Sequence, residues 1–109
     1  GGKLPLWLAP DQVVVLPVSE KYNEFAKKVC NLLNNCDIRA SIDDRNETIG
    51  KKIRENELKR MPFQLIVGEK EASSNSVSVR KQGGEDLGSM EVEKFAEYIK
   101  AEIEAQLAK

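Results

Sequence analysis

With 109 residues, 40% of them hydrophobic, the chain holds one domain with one ordinary core and no more. A formal net charge of −1 argues against a bulk nucleic-acid binder, and the absence of histidine removes the commonest general base and the commonest transition-metal ligand. No apolar run is long enough to span a membrane, no secretory signal is visible, and two cysteines are too few for a disulfide framework. A cytoplasmic protein with reduced thiols and no membrane partner is expected.

Residues 1–10 read as a lead-in segment and residues 11–109 as the domain proper. Trp7 and Leu8 are the large apolar residues of the lead-in and are expected to pack on the domain edge. Val13-Val14-Val15-Leu16 is a continuous apolar run, three of its residues β-branched, stopped by Pro17, the pattern of a strand buried on both faces. Ser19 is a candidate N-cap, and Tyr22, Phe25, Ala26, Val29, Leu32 and Leu33 then recur at helical spacing. That helix stops near Asn34-Asn35. Cys30 and Cys36 point in different directions along it and lie too far apart to bridge.

Ile38, Ala40 and Ile42 alternate with Arg39, Ser41 and Asp43, which predicts a second strand. A polar loop over 44–48 leads into a helix from Ile49 to Arg60, ended by Met61-Pro62. Its apolar face is thin: Ile49, Ile53 and Leu58. Phe63 to Val67 is a third strand, closed by Gly68, and Ser73 to Ser76 reads as a turn. Val77 and Val79 alternate with Ser78 and Arg80 in a strand solvated on one side. Gly83-Gly84 is a turn, a short strand follows around Leu87, and Ser89 caps a last helix striped by Val92, Phe95, Ala96, Ile99, Ile103 and Leu107. The order βαβαβ, hairpin, helix predicts an α/β fold with a mostly parallel sheet and an antiparallel late strand.

Nothing here assembles a catalytic site. Asp43 and Asp44 are adjacent in an extended segment and face opposite ways. No phosphate loop or G-x-G-x-x-G is present, and without histidine a Ser-His-Asp arrangement is impossible. Charge is unevenly spread. Residues 45–81 hold nine basic and five acidic side chains, whereas residues 82–109 hold three and seven. The middle third is therefore expected to form a basic face, with Lys52 and Arg60 among its phosphate contacts.

The run from Asp43 to Arg54 lies just past the carboxyl end of the second strand, where open α/β sheets bind ligands. Asn46 can read a base edge with both donor and acceptor, or it can cap the helix that follows. Glu71 follows the third strand and Arg80 lies on its neighbour. A carboxylate can accept from guanine N1–H and its exocyclic amine, and an arginine can donate to O6 and N7 or to phosphate. The two could equally be an exposed ion pair.

These residues also carry a family likeness. Leu6-Trp7-Leu8-Ala9-Pro10, Asp43-Asp44-Arg45-Asn46-Glu47, Ile49-Gly50, Lys52-Ile53-Arg54-Glu55, Val67-Gly68-Glu69-Lys70-Glu71, Val77-Ser78-Val79-Arg80 and Asp86-Leu87-Gly88-Ser89-Met90 recur in order. Together they resemble the C-terminal anticodon-binding domain of class II aminoacyl-tRNA synthetases, specifically the threonyl form. Thr48 and Lys51 depart from that pattern. The resemblance implies a three-layer, mixed five-stranded sheet flanked by helices. It implies binding to the anticodon loop of threonine tRNA, at guanine and uracil. By motif position the anticodon contacts are Asn46, Glu71 and Arg80, with Arg45, Arg60 and Lys70 as neighbours. It implies a parent threonine–tRNA ligase, a homodimer, whose separate catalytic domain binds ATP, zinc and threonine. This segment itself carries no cofactor or metal. An interaction module that keeps the fold but has lost RNA reading stays open as the alternative.

Overall fold

The computed structural model describes residue 9 and residues 11–107. The expected packing of Trp7 and Leu8 lies outside the described residues. Five strands form one mixed sheet in the order β2-β1-β3-β4-β5. β1 (Val13–Pro17) sits between β2 (Ala40–Ile42) and β3 (Phe63–Val67) and is parallel to both. β4 (Ser76–Lys81) runs antiparallel to β3, and β5 (Glu85–Glu91) antiparallel to β4. All five residues of β1 are buried, as its unbroken apolar run requires.

The two faces of this sheet differ. Val13, Val15, Phe63, Leu65, Val67, Val77 and Val79 share one face with Ala26, Val29, Cys30 and Leu33 of α1 (Asn23–Asn35). Val92, Phe95, Ala96 and Ile99 of α4 (Val92–Leu107) complete that apolar cluster. Phe63 meets Phe95 edge-on with ring centroids 5.6 Å apart. The opposite parity of β3 and β4 raises Gln64 and Arg80, which are register partners, toward α2 (Ile49–Leu58). The side of α2 that meets the sheet buries Lys52 and Asn56 rather than leucines, and Leu58, expected on its apolar stripe, is 78% exposed.

Several boundaries depart from the sequence pattern. Residues 20–22 form a 3-10 turn ahead of α1. α1 and α2 both close on left-handed residues, Asp37 and Arg60, although neither is glycine. In each case two backbone bonds close the end: Asp37 and Ile38 donate to Asn34 and Leu33, and Arg60 and Met61 donate to Glu57 and Asn56. The serine-rich stretch read as a turn is the end of a six-residue helix, α3 (Glu69–Ser74), closed by left-handed Asn75. Ser89 is no helix cap; it pairs with Ser78 inside β5, which extends over seven residues, and α4 begins at Val92.

Candidate nucleic-acid interface

The loop between β2 and α2 is held by a charged clamp. Arg45 donates from Nε to Asp43 Oδ1 at 2.8 Å and from the guanidinium end to Asp43 Oδ2 at 2.9 Å. Its remaining arm pairs with Glu55 Oε1 at 2.6 Å, and Asn56 donates to Asp43 Oδ2 at 3.0 Å. The Arg45 hydrogen bonds hold the Asp43 carboxyl at about 2, well below the usual carboxylate range. Thr48, not Asn46, caps α2, accepting from the Lys51 amide at 3.3 Å. Asn46 is thereby left exposed. It lines a cleft of about 360 Å³ with Val18, Ser19, Asp44, Arg45, Glu47 and Lys52, beyond the carboxyl end of β1.

Val18 leads from this cleft to the second group. Its amide donates to Val67 at 2.9 Å, its side chain is 43% exposed, and it lies against Gly68. Beside Gly68 stands Glu71, only 9% exposed. Its Oε1 accepts from the Gly68 amide at 2.7 Å, closing the first turn of α3. Its Oε2 accepts from Ser78 Oγ at 3.4 Å, a long contact that leaves this oxygen acceptor capacity. Ser78 and Arg80 alternate on the same side of β4, so Glu71, Ser78 and Arg80 follow one another along the polar face. Lys70 is exposed at the start of α3.

The sequence pattern predicts that one sheet edge presents Asn46, Glu71 and Arg80 together. Asn46 and Glu71 both lie beyond the carboxyl ends of parallel strands, but Arg80 does not. It pairs with Gln64, the second residue of β3, and so rises near the opposite edge. What unites the three is a face, not an edge. Arg60 closes the far end of α2 from Asn46, so the structure does not bring those two together. Lys52 is no free phosphate contact: it is 3% exposed and its Nζ donates to the Pro17 carbonyl at 3.2 Å.

The basic middle third is also partly neutralised from within. Arg45 is shared by Asp43 and Glu55, Lys51 pairs with Glu47 at 3.3 Å, and Arg80 pairs with Glu57 at 3.3 Å. Two buried polar atoms on the register partners, Gln64 Oε1 and Arg80 Nε, have no hydrogen-bond partner among the described residues. Each such atom costs roughly 1–3 kcal/mol. Sequence reasoning placed Ser78 and Arg80 on one side of β4 but missed Val18 and Glu57 as parts of this face; nothing local marked either.

The sequence matches the family described as anticodon binding domain over residues 12–102. It is 58% identical over 107 residues to a threonine–tRNA ligase of Porphyromonas gingivalis, covering 98% of this chain and 16% of that protein. It is 56% identical to the corresponding ligase of Bacteroides fragilis, covering 99% of this chain and 17% of that one. The chain thus spans about a sixth of the length of these relatives. Among solved structures, the RNA binding domain of threonyl-tRNA synthetase from Cryptosporidium parvum superposes with a TM-score of 0.84 at 34% identity, over 92% of this chain and 25% of that one. A prolyl-tRNA synthetase from the same organism gives 0.83 at 26% identity, over 94% of this chain and 22% of that one. Shape alone barely separates the two amino-acid specificities.

Proposed function

We propose, on the premise that the chain belongs to the anticodon-binding domain family, that it reads the anticodon loop of threonine tRNA for a parent threonine–tRNA ligase. The observation that carries this is the polar face. Asn46 in its cleft, exposed Val18, the free side of Glu71, Ser78 and Arg80 lie in succession across one side of the sheet.

Their chemistry fits unstacked bases better than duplex. The carboxylate of Glu71 accepts from guanine N1–H and the exocyclic amine, Arg80 donates to O6 and N7, and Asn46 meets the neighbouring uracil with donor and acceptor. Val18 offers an apolar floor between them. Arg45 acts here through Asp43 and Glu55, fixing the loop that presents Asn46, while Lys70 and Arg60 lie where RNA backbone would pass on either side.

Aminoacylation belongs in this reading to a separate catalytic part of the parent, which supplies ATP and zinc chemistry. Among the described residues, no group of three or more histidine, cysteine or acidic side chains could hold a metal. On this reading the parent is a cytoplasmic homodimer. No described helix is long and apolar enough to cross a membrane.

The test is a gel shift of the chain with threonine tRNA against a copy altered at the middle anticodon base. Preferential retention of the unaltered tRNA is expected; equal retention of both overturns the reading.

A further inference from the structure

Glu57 stands on the last turn of α2, half-exposed, with Oε1 3.3 Å from the Arg80 guanidinium and close to Gly84 in the β4–β5 turn. It is the one ion-pair partner of Arg80 among the described residues, and it leaves most of the guanidinium donors unused. We infer that Glu57 is a specificity-determining residue, which makes Arg80 a reader of neutral base acceptors by cancelling its attraction for phosphate. The inference rests on the anticodon reading given above.

The physical reason is the difference between charge and direction. An unpaired arginine on an open polar face binds any RNA phosphate, releases a counterion and carries no sequence information. With a carboxylate 3.3 Å away the pair has no net charge. An incoming phosphate is then repelled by Glu57 about as strongly as it is drawn by Arg80. A guanine edge is neutral and meets no such repulsion. It still finds the unused N–H donors, held in one place by the ion pair and by the partly buried stem of Arg80. Arg80 is partly exposed and only its Nη2 is engaged, so terminal N–H donors remain once Glu57 is satisfied.

Glu57→Gln restores the charge of Arg80 while keeping side-chain size and a helix-compatible residue. The experiment compares the chain, Glu57→Gln, Arg80→Ala and the double variant by binding to anticodon stem-loops with guanine or adenine at the middle position, across a salt series. Circular dichroism and thermal melting check folding. For Glu57→Gln we expect tighter binding of both RNAs at low salt, by roughly three- to tenfold, and a salt dependence steeper by about one unit. We also expect a guanine-to-adenine ratio reduced by about threefold or more. None of these changes should occur in the Arg80→Ala background.

A Glu57→Gln protein with the parent slope and ratio overturns the inference, as does the same change in slope with Arg80 already removed. A parent chain that binds both stem-loops equally overturns the anticodon reading itself. A parent that discriminates beside an unaltered Glu57→Gln variant leaves that reading standing and removes only the role of Glu57.

Discussion

On one face of the sheet Phe63, Leu65, Val67, Val77 and Val79 close an apolar cluster with two long helices. On the other, the alternate residues of the same strands raise Gln64 and Arg80 toward α2, which buries Lys52 and Asn56, and Ser78 toward Glu71 of α3. A strand that serves a core on both sides, as β1 does, cannot present polar groups; β3 and β4 can, because only half of each is committed to stability. The polar face keeps buried atoms unpaired and ion pairs half-exposed. It is stabilised by the apolar face at its back, and functional sites are where such local compromises gather.

The largest effect should follow from damaging the apolar face. Phe95 is fully buried and packs edge-on against Phe63. Phe95→Ala should lower stability by about 3–5 kcal/mol, read from denaturant unfolding. The fraction that remains folded should keep its base preference. A loss of preference without a loss of stability would mean that the two faces are not separate.

Glu71→Gln addresses the polar face with little cost to the fold. The amide oxygen can replace Oε1 as acceptor for the Gly68 amide, so α3 should stay capped. On the other side an N–H donor now faces guanine N1–H. The preference for guanine over adenine should fall by roughly ten- to a hundredfold, or about 1–3 kcal/mol. Inosine keeps N1–H and lacks only the amine, so in the parent chain it should bind between the two. An unchanged guanine-to-adenine ratio would reduce Glu71 to a capping residue.

Much of this division was legible in the sequence. The apolar run closed by Gly68 gave β3 its limits, and period-two alternation gave β4 its buried and solvated sides, because a half-buried strand writes its parity into its residues. The hidden parts were those whose partners are distant in sequence. α2 looked like an exposed charged helix, since the lysine and asparagine it buries are usually surface residues. Its end was blurred because Arg60 occupies a position usually marked by glycine, whereas α1 ends at Asn35, as its pattern indicated, although left-handed Asp37 follows it. Asn46, Glu71 and Arg80 were expected on one sheet edge, and Arg80 rises near the other. The β3–β4 register, which places Arg80 opposite Gln64, is a long-range property that no local pattern carries.

The clamp behind Asn46 should titrate. The Asp43 carboxyl lies at about 2 in the fold, held down first by the Arg45 hydrogen bonds. The ordinary value is about 3.9. A group whose folded value is lowered contributes stability above its unfolded value and loses it as pH falls toward the folded one. Asp43→Asn should therefore cost about 1–2 kcal/mol at neutral pH. The gap between parent and variant should close as pH falls from about 4 to about 2. Denaturant midpoints over a pH series provide the measurement. A constant gap would mean that the Asp43 charge contributes nothing through this clamp.

The smallest effect sharpens the comparison most, because it separates conformation from charge at one residue. Arg60 adopts φ 60° where α2 closes, and its amide donates to Glu57 at 2.9 Å. A left-handed non-glycine residue costs roughly 1–2 kcal/mol. Glycine relieves that strain and gives back about 0.5–1 kcal/mol through its freer unfolded state. Arg60→Gly should leave stability unchanged or raise it by up to about 1 kcal/mol. Arg60→Ala removes the same charge but keeps the strain, so it should gain nothing. If RNA backbone passes this end of α2, both variants should weaken binding equally for every sequence and flatten the salt slope by up to about one unit. The guanine preference should persist in both, since neither variant replaces Glu71, Ser78 or the Glu57–Arg80 pair. An unchanged slope in the better-folded glycine variant would confine the interface to the carboxyl edge and the Glu71–Arg80 row, and would make Arg60 a helix terminus only.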